Sequence, residues 1–388
     1  MRGFAYALLL VAAALIVQRW YGWDAGHALG GTDAESYEAI ARAAPGHPQE
    51  KLPFHHAQRW VGPYLVGLAA RHWGVDVRAL FLVASASCLL VAVLLLQASF
   101  ARLALSPVVL VLCLAMYVLH FSLRFYLIAP GMLPDALFIA GLAVLLLGLA
   151  SDRWWLLLAG LFVAAIGRQT ALLLLPGIVV WLSRGERWLG RACTAAIVAG
   201  LVYGITGQMA LTFAEPSENL QSLTGLFAWL AGPEFTPAEL LVFASYAAVP
   251  LLVPGSALCA LWWLVPQARD ALWHSREIQG CLLMAAAIVS QPLLGGPDFT
   301  GPGNGTRLAA LALGPLCLAV GLSMRAAQLA PSSGTLAGLV LMLWMGSLHY
   351  NYTLIGPHSI ELFAFLQLAI AVLGAWRLAR APAGGKTA

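Results

Sequence analysis

Charge is what this chain has least of. Only 10% of its 388 residues are Asp, Glu, Lys or Arg, while 61% are hydrophobic and the mean hydropathy is +0.83. Water could not solvate that composition as a globule, so a soluble enzyme or binding domain is excluded. Lysine is nearly missing. Lys51 and Lys386 stand alone and arginine supplies the rest of the basic charge, a bias that suggests a GC-rich bacterial genome. The six cysteines (Cys88, Cys113, Cys193, Cys259, Cys281 and Cys317) all fall inside apolar runs, which excludes a disulfide framework. There is no internal repeat, no soluble domain and no low-complexity tract beyond residues 381–388. The net charge of +4 implies no acidic partner such as nucleic acid, because in a membrane protein the side on which each charge sits matters more than the sum.

What the chain has in abundance is apolar sequence of spanning length. A helix needs roughly 20 apolar residues to cross a hydrocarbon core of about 30 Å. Runs that approach this lie at 4–20, 80–98, 106–122, 134–150, 154–167, 170–183, 193–211, 240–264, 278–294, 307–323, 334–349 and 359–376. The expectation is an all-α integral membrane protein, one domain over 1–388, with about twelve transmembrane helices and both termini inside. Residues 4–18 resemble a signal-peptide core behind Arg2, but Gln18-Arg19-Trp20-Tyr21 offers no small-residue cleavage site, so an uncleaved first span is expected. The loops placed in the cytoplasm then hold twelve Lys and Arg against four acids, and the outer loops nine against thirteen. That is the asymmetry the positive-inside rule demands.

Two places break the pattern. Between Arg153 and Arg184 a single span would invert every later loop, so a short re-entrant-like hairpin is expected, its two arms of about 14 residues rising about 21 Å each and its tip at Gly167-Arg168-Gln169-Thr170. Freed backbone at such a tip is tolerable only under a cover of protein or a wet cavity. The second break is the first outer, periplasmic loop over residues 21–78. Its stretch 57–72 is apolar on one side but too short and too charged to span, which reads as an interfacial helix.

That loop holds the candidate chemistry. Asp33 and Glu35 form an acid-x-acid pair; one carboxylate can act as general base while the other orients the site or holds a metal. The plainer reading is that Thr32 or Asp33 caps a helix through Tyr37 and Ile40, with Glu35 favoured in its first turn. Asp135 heads the fourth span, where a helix cap competes with a cavity-lining role. Arg59, Arg124, Arg168 and Arg307 are the outer basic residues nearest span ends. Snorkelling is the ordinary fate of such a side chain, but a guanidinium also suits phosphate oxygens. For Arg168, a ligand or a buried carboxylate such as Asp135 is expected. Outer histidines, His55 and His56 among them, could coordinate a metal or donate to phosphate. No spacing matches a metal motif, so no cofactor is assigned and a divalent metal stays an open alternative.

Asp33-x-Glu35 with Tyr37, Gln58-Arg59-x-x-x-Pro63, Asp135 and Arg168-Gln169-Thr170 together resemble the integral-membrane GT-C glycosyltransferases. Those enzymes use polyprenyl-phosphate sugars and include bacterial relatives of the protein mannosyltransferases and the lipid A aminoarabinose transferase. Members often carry Arg-Glu-Thr where Gln169 replaces the acid here. The resemblance implies a bacterial inner-membrane enzyme with its site facing the periplasm, catalytic Asp33 and Glu35, and substrate-binding Tyr37, His55, His56, Arg59, Arg124, Asp135, Arg168, Gln169 and Arg307. It implies an inverting transfer from a polyprenyl-phosphate-linked sugar to a lipid-linked or small glycan acceptor, with Asp33 as base and arginines holding the departing phosphate. Two other readings stand beside it: a transporter or flippase for a lipid-linked sugar, and a noncatalytic subunit that binds a lipid headgroup.

Overall fold

The computed structural model describes residues 4–21, 33–215, 221–232, 236–300 and 302–329, with the single positions 334, 340, 369 and 373. Its named elements are helical, and among the described residues there is no strand. The first half contains α1 (Ala5–Tyr21), α2 (Asp33–Ala43), α3 (Phe54–Ala57), α4 (Val61–Trp73), α5 (Val77–Arg102), α6 (Pro107–Val118), α7 (Phe121–Ile128), α8 (Leu133–Ala150) and α9 (Trp154–Gly167). After it come α10 (Leu175–Leu182), α11 (Trp188–Ala210), α12 (Gln221–Leu230), α13 (Pro237–Ala248), α14 (Leu252–Leu264), α15 (Pro266–His274), α16 (Arg276–Thr300), α17 (Pro302–Ala310) and α18 (Leu313–Ala326).

Among the described residues four stretches are long and apolar enough to cross a bilayer: Val77–Arg102, Pro130–Ala150, Trp188–Ala210 and Arg276–Gly296. A fifth is formed if Asn304–Ala310 and Leu313–Ala326, bent by 44°, count as one span. The described residues therefore carry four or five such helices, and the expected count of about twelve is not confirmed by them. The expected run 106–122 is divided between α6 and α7, and 240–264 is interrupted by the 3-10 turn Val249–Leu251, where Pro250 lacks the N–H that a continuing helix needs. The expected spans at 334–349 and 359–376 lie outside the described residues apart from single positions.

Capping explains where several helices begin. The Asp76 carboxylate accepts from the Ala79 N–H at 2.9 Å, and Ser106 precedes Pro107 and accepts from Val109 N, each satisfying a donor that the first turn leaves open. Gly74, at φ 65°, ends α4 in the left-handed conformation that glycine adopts most cheaply.

Long-range contacts define the two ends of the bundle. At one end Arg184 donates to Leu149 O at 3.4 Å and pairs with Glu277, Arg191 pairs with Asp152, and Arg325 donates to Leu103 O. These arginines belong to the loops read as cytoplasmic. At the other end Ser85 donates to Pro130 O, Gln58 to Tyr203 O, and Arg307 to Asp33.

The same contacts trace the hairpin. The chain leaves Asp152, rises through the 14 residues of α9, and turns at Arg168, whose backbone is extended (φ −151°, ψ 142°). It then returns through the 3-10 turn Gln169–Leu174 and α10 to Arg184, beside Leu149. α9 and α8 touch backbone to backbone. A Cβ on Gly141 would lie 2.3 Å from Ala164 N and one on Gly160 2.2 Å from Leu145 N, the close approach that small residues permit between apolar helices.

The first outer segment folds as a cover. α2 buries Ala34, Tyr37, Ile40 and Ala41, and α4 lays Val66, Gly67 and Ala70 toward it while Leu65 and Trp73 stay 58% and 65% exposed. That division fits a helix lying at an interface. A Cβ on Gly67 would sit 2.0 Å from Ala41 O, so this glycine sets how closely α2 rests on α4. The segment is also fastened to the far end of α11. Leu52 N donates to Phe213 O at 3.1 Å, Glu215 N donates to Leu52 O at 2.8 Å, and the His47 ring stacks on Phe213.

Candidate active site

The end of the bundle opposite Arg184 and Arg191 gathers charge from six separate elements and links of the chain. Asp33 stands in the first turn of α2, where the helix dipole favours its anion. His56 comes from α3, Arg59 from the link to α4, Asp135 from the first turn of α8, Arg168 from the hairpin tip and Arg307 from α17.

The carboxylates tie these groups together. Asp33 Oδ2 lies 3.1 Å from Arg307 and 3.7 Å from Arg59, and its Oδ1 lies 3.2 Å from His56 Nε2. Asp135 pairs with Arg168, lies 3.5 Å from Arg307 Nε, and accepts from Tyr126 Oη at 3.4 Å. Arg307 therefore bridges the two acids. Arg59 donates to Tyr37 Oη at 2.9 Å and to Gln169 Oε1 at 3.2 Å. Asp135 is not the N-cap of α8, which is Met132; its carboxylate is spent on the arginines.

Three guanidiniums meet two carboxylates here, and Gln169, which receives the third arginine, is neutral. The network keeps a surplus of one positive charge even though Arg59, Arg168, Arg307 and Asp135 are all buried. Desolvating each ion costs several kcal/mol, and hydrophobic residues in the same places would usually serve stability as well. The Nε of Arg168 is buried and makes no hydrogen bond among the described residues. Such an arrangement suits an anion with several oxygens, a phosphate above all.

The two outer titratable neighbours are also tuned. Burial pushes the Asp33 carboxyl up, but the hydrogen bond from His56 and the charges of Arg307 and Arg59 outweigh it and hold the group well below the usual carboxylate range. Burial, with His56 and Arg59 beside it, pushes His55 down to about 3, so at neutral pH its ring is uncharged. The His55 and His56 ring centroids are 4.1 Å apart.

Of the residues expected from sequence, Asp33, Tyr37, His56, Arg59, Asp135, Arg168, Gln169 and Arg307 share this network, and His55 flanks it. Glu35 lies on the exposed face of α2. Arg124 is buried on α7 near His120. Among the described residues no three His, Cys, Asp or Glu side chains group to hold a metal ion.

Three members of the site carried no signal in the sequence. Tyr126 holds Asp135, Met132 Sδ accepts from Arg307 Nη1 at 2.9 Å, and Ser36 Oγ lies 3.0 Å from His56 Nδ1. Tyrosine, methionine and serine are common on apolar helices and loops; only the placement of α7 and α2 reveals them. Comparison of the chain with protein-family models, with curated proteins and with solved structures gives no match.

Proposed function

We propose that this chain is an integral-membrane transferase that moves a sugar from a polyprenyl-phosphate donor to a hydroxyl of a lipid-linked or small acceptor, with inversion at the anomeric carbon. In this reading the chain crosses a bacterial inner membrane about twelve times, with the arginine-rich end in the cytoplasm and the site open to the periplasm. The observation that carries it is the surplus guanidinium charge, buried at one end of an apolar bundle and joined to Asp33 through Arg307. A lipid phosphate keeps its tail in hydrocarbon and its charge at the interface, the depth at which such cations are useful.

The chemistry follows from the contacts. The acceptor oxygen bonds to the anomeric carbon as the bond from that carbon to the phosphate oxygen breaks, and the electron pair stays on the phosphate. Its growing charge falls to Arg59, Arg168 and Arg307, the electrostatic contribution that usually dominates. The acceptor proton goes to the Asp33–His56 pair, worth about 10²- to 10⁴-fold. The resting contacts of Asp33 with Arg307 and Arg59 serve as placeholders. An arriving phosphate takes over the guanidiniums and releases the carboxylate from two of the charges that suppress its proton affinity.

The test uses purified full-length protein in lipid nanodiscs with a panel of labelled polyprenyl-phosphate sugars. Release of polyprenyl phosphate is expected, and Asp33→Asn should abolish it while donor binding persists. Gln169→Glu, which cancels the surplus charge, should raise the donor KM about tenfold. Full activity in Asp33→Asn would sink the reading. Donor binding without turnover in the wild type would favour a headgroup-binding subunit, and movement of intact donor across vesicles would favour a flippase.

A further inference from the structure

The two oxygens of Asp33 face different partners. Oδ2 points at Arg307 and Arg59, and Oδ1 at the Nε2 of His56. An ionised carboxylate only accepts hydrogen bonds, so Nε2 must carry the hydrogen. A neutral ring that donates at Nε2 keeps its lone pair on Nδ1, and that atom lies 3.0 Å from Ser36 Oγ, whose hydroxyl can donate. The partners thus fix the tautomer, and the basic nitrogen faces away from the guanidiniums.

We propose that His56 Nδ1 is the atom that takes the proton from the acceptor hydroxyl, that Asp33 positions the ring, and that the Ser36 hydroxyl marks the place the acceptor hydroxyl occupies. This rests on the transfer reading above and divides the work within the pair. Asp33 is a weak base as it stands, crowded by two guanidiniums and the imidazole, whereas accepting a proton at Nδ1 turns His56 into an imidazolium lying against a carboxylate. The groups facing His56 are Asp33, Ser36 and Tyr37 from α2, His55 from α3, and Arg59 beyond it, with Arg307 of α17 reaching it only through Asp33. None of the others can take its place. Guanidinium groups do not give up a proton, the Tyr37 hydroxyl is occupied by Arg59, and His55 has little affinity for a proton.

The step balances without a further reactant. The acceptor O–H breaks, its proton forms a bond to Nδ1, and its electron pair becomes the new bond to the anomeric carbon, while the bond from that carbon to the phosphate oxygen breaks and its electron pair leaves on the polyprenyl phosphate. After the sugar departs, the proton leaves from Nδ1 to water.

Two measurements test this. In full-length protein labelled with [15N]histidine, the His56 spectrum should show hydrogen on Nε2 and a bare Nδ1 at neutral pH; Asp33→Asn should move the ring toward the other tautomer, because an amide can donate where the carboxylate could only accept. Hydrogen found on Nδ1 in the wild type overturns the proposal, with or without any transfer activity. In the nanodisc assay with a labelled polyprenyl-phosphate sugar, His56→Ala should lower kcat at least 100-fold with the donor KM nearly unchanged, and added imidazole should restore part of the rate. Wild-type kcat in His56→Ala, or a loss confined to KM, overturns it. Ser36→Ala should keep the Nε2–H tautomer, because the Asp33 carboxylate still accepts from that nitrogen, and loss of that tautomer in this variant also counts against the assignment. Absence of turnover in the wild type with every sugar tested would be a failure of the transfer reading instead, since the spectrum is read without it.

Discussion

The two ends of this bundle use the same chemical pair for opposite purposes. At the arginine-rich end Arg184 meets Glu277 at 2.5 Å and Arg191 meets Asp152 at 2.6 Å, with Asp152 68% exposed. At the other end the Arg168 and Asp135 side chains are 2% and 3% exposed. Distances are alike and surroundings are not. The exposed pairs are screened by water and ions and stabilise by at most about 1 kcal/mol. The enclosed network keeps guanidiniums out of water at a cost that stability alone does not explain, which is the ground for the proposed phosphate site.

The comparison breaks most sharply if each pair is opened in turn. Arg168→Ala leaves Asp135 enclosed with less compensation and should lower the unfolding free energy by about 3–5 kcal/mol, measured by denaturation in detergent micelles. Arg184→Ala should change it by less than about 1 kcal/mol. Equal losses would erase the distinction. Replacing Asp135 with Leu and Arg168 with Met together should recover most of that stability but no transfer activity.

Arg307→Lys keeps the charge and removes the fork that reaches both aspartates. A fall in kcat of about 10²- to 10³-fold is expected, while Arg276→Lys at the opposite end leaves the rate unchanged. Gly67→Val drives a methyl into Ala41 and should cost about 1–3 kcal/mol, with a parallel loss of activity as Asp33 shifts on α2; activity retained at full strength would mean that α2 does not set the site.

Acid supplies a milder probe. His55 is neutral in the fold and titrates at about 3, whereas an unfolded histidine titrates near 6.5. As pH falls below about 6.5 the unfolded chain binds a proton that the folded one refuses, so stability declines from there downward. Asp33 has the opposite chemistry and the same direction. Its folded value is depressed, so its contribution is whole above about pH 4 and is lost only in stronger acid. Unfolding midpoints at pH 7.5 and pH 5 should therefore differ in the wild type, and the difference should shrink in His55→Gln.

The sequence made the charged half of the site legible because ions are rare and costly in an apolar chain; Asp33, Arg59, Asp135, Arg168 and Arg307 stand out against their surroundings. Ser36, Met132 and Tyr126 do not, since nothing about such residues distinguishes a site from ordinary packing. The hairpin at Arg168 could be inferred because loop charge forbids a single crossing there. Span count was less accessible. Hydropathy measures how oily a stretch is and not whether its helix is continuous, so the breaks after Val118 and at Pro250 passed unseen.

The pairing of Leu52 with Phe213 and Glu215 gives α11, a helix long and apolar enough to span a bilayer, a mechanical connection to the buried charge network. Leu52 lies two residues before α3, the four-residue helix that carries His56. If the proposed transfer takes place here, a thicker or thinner bilayer that tilts α11 pulls through that tether on the imidazole itself and so acts on the rate.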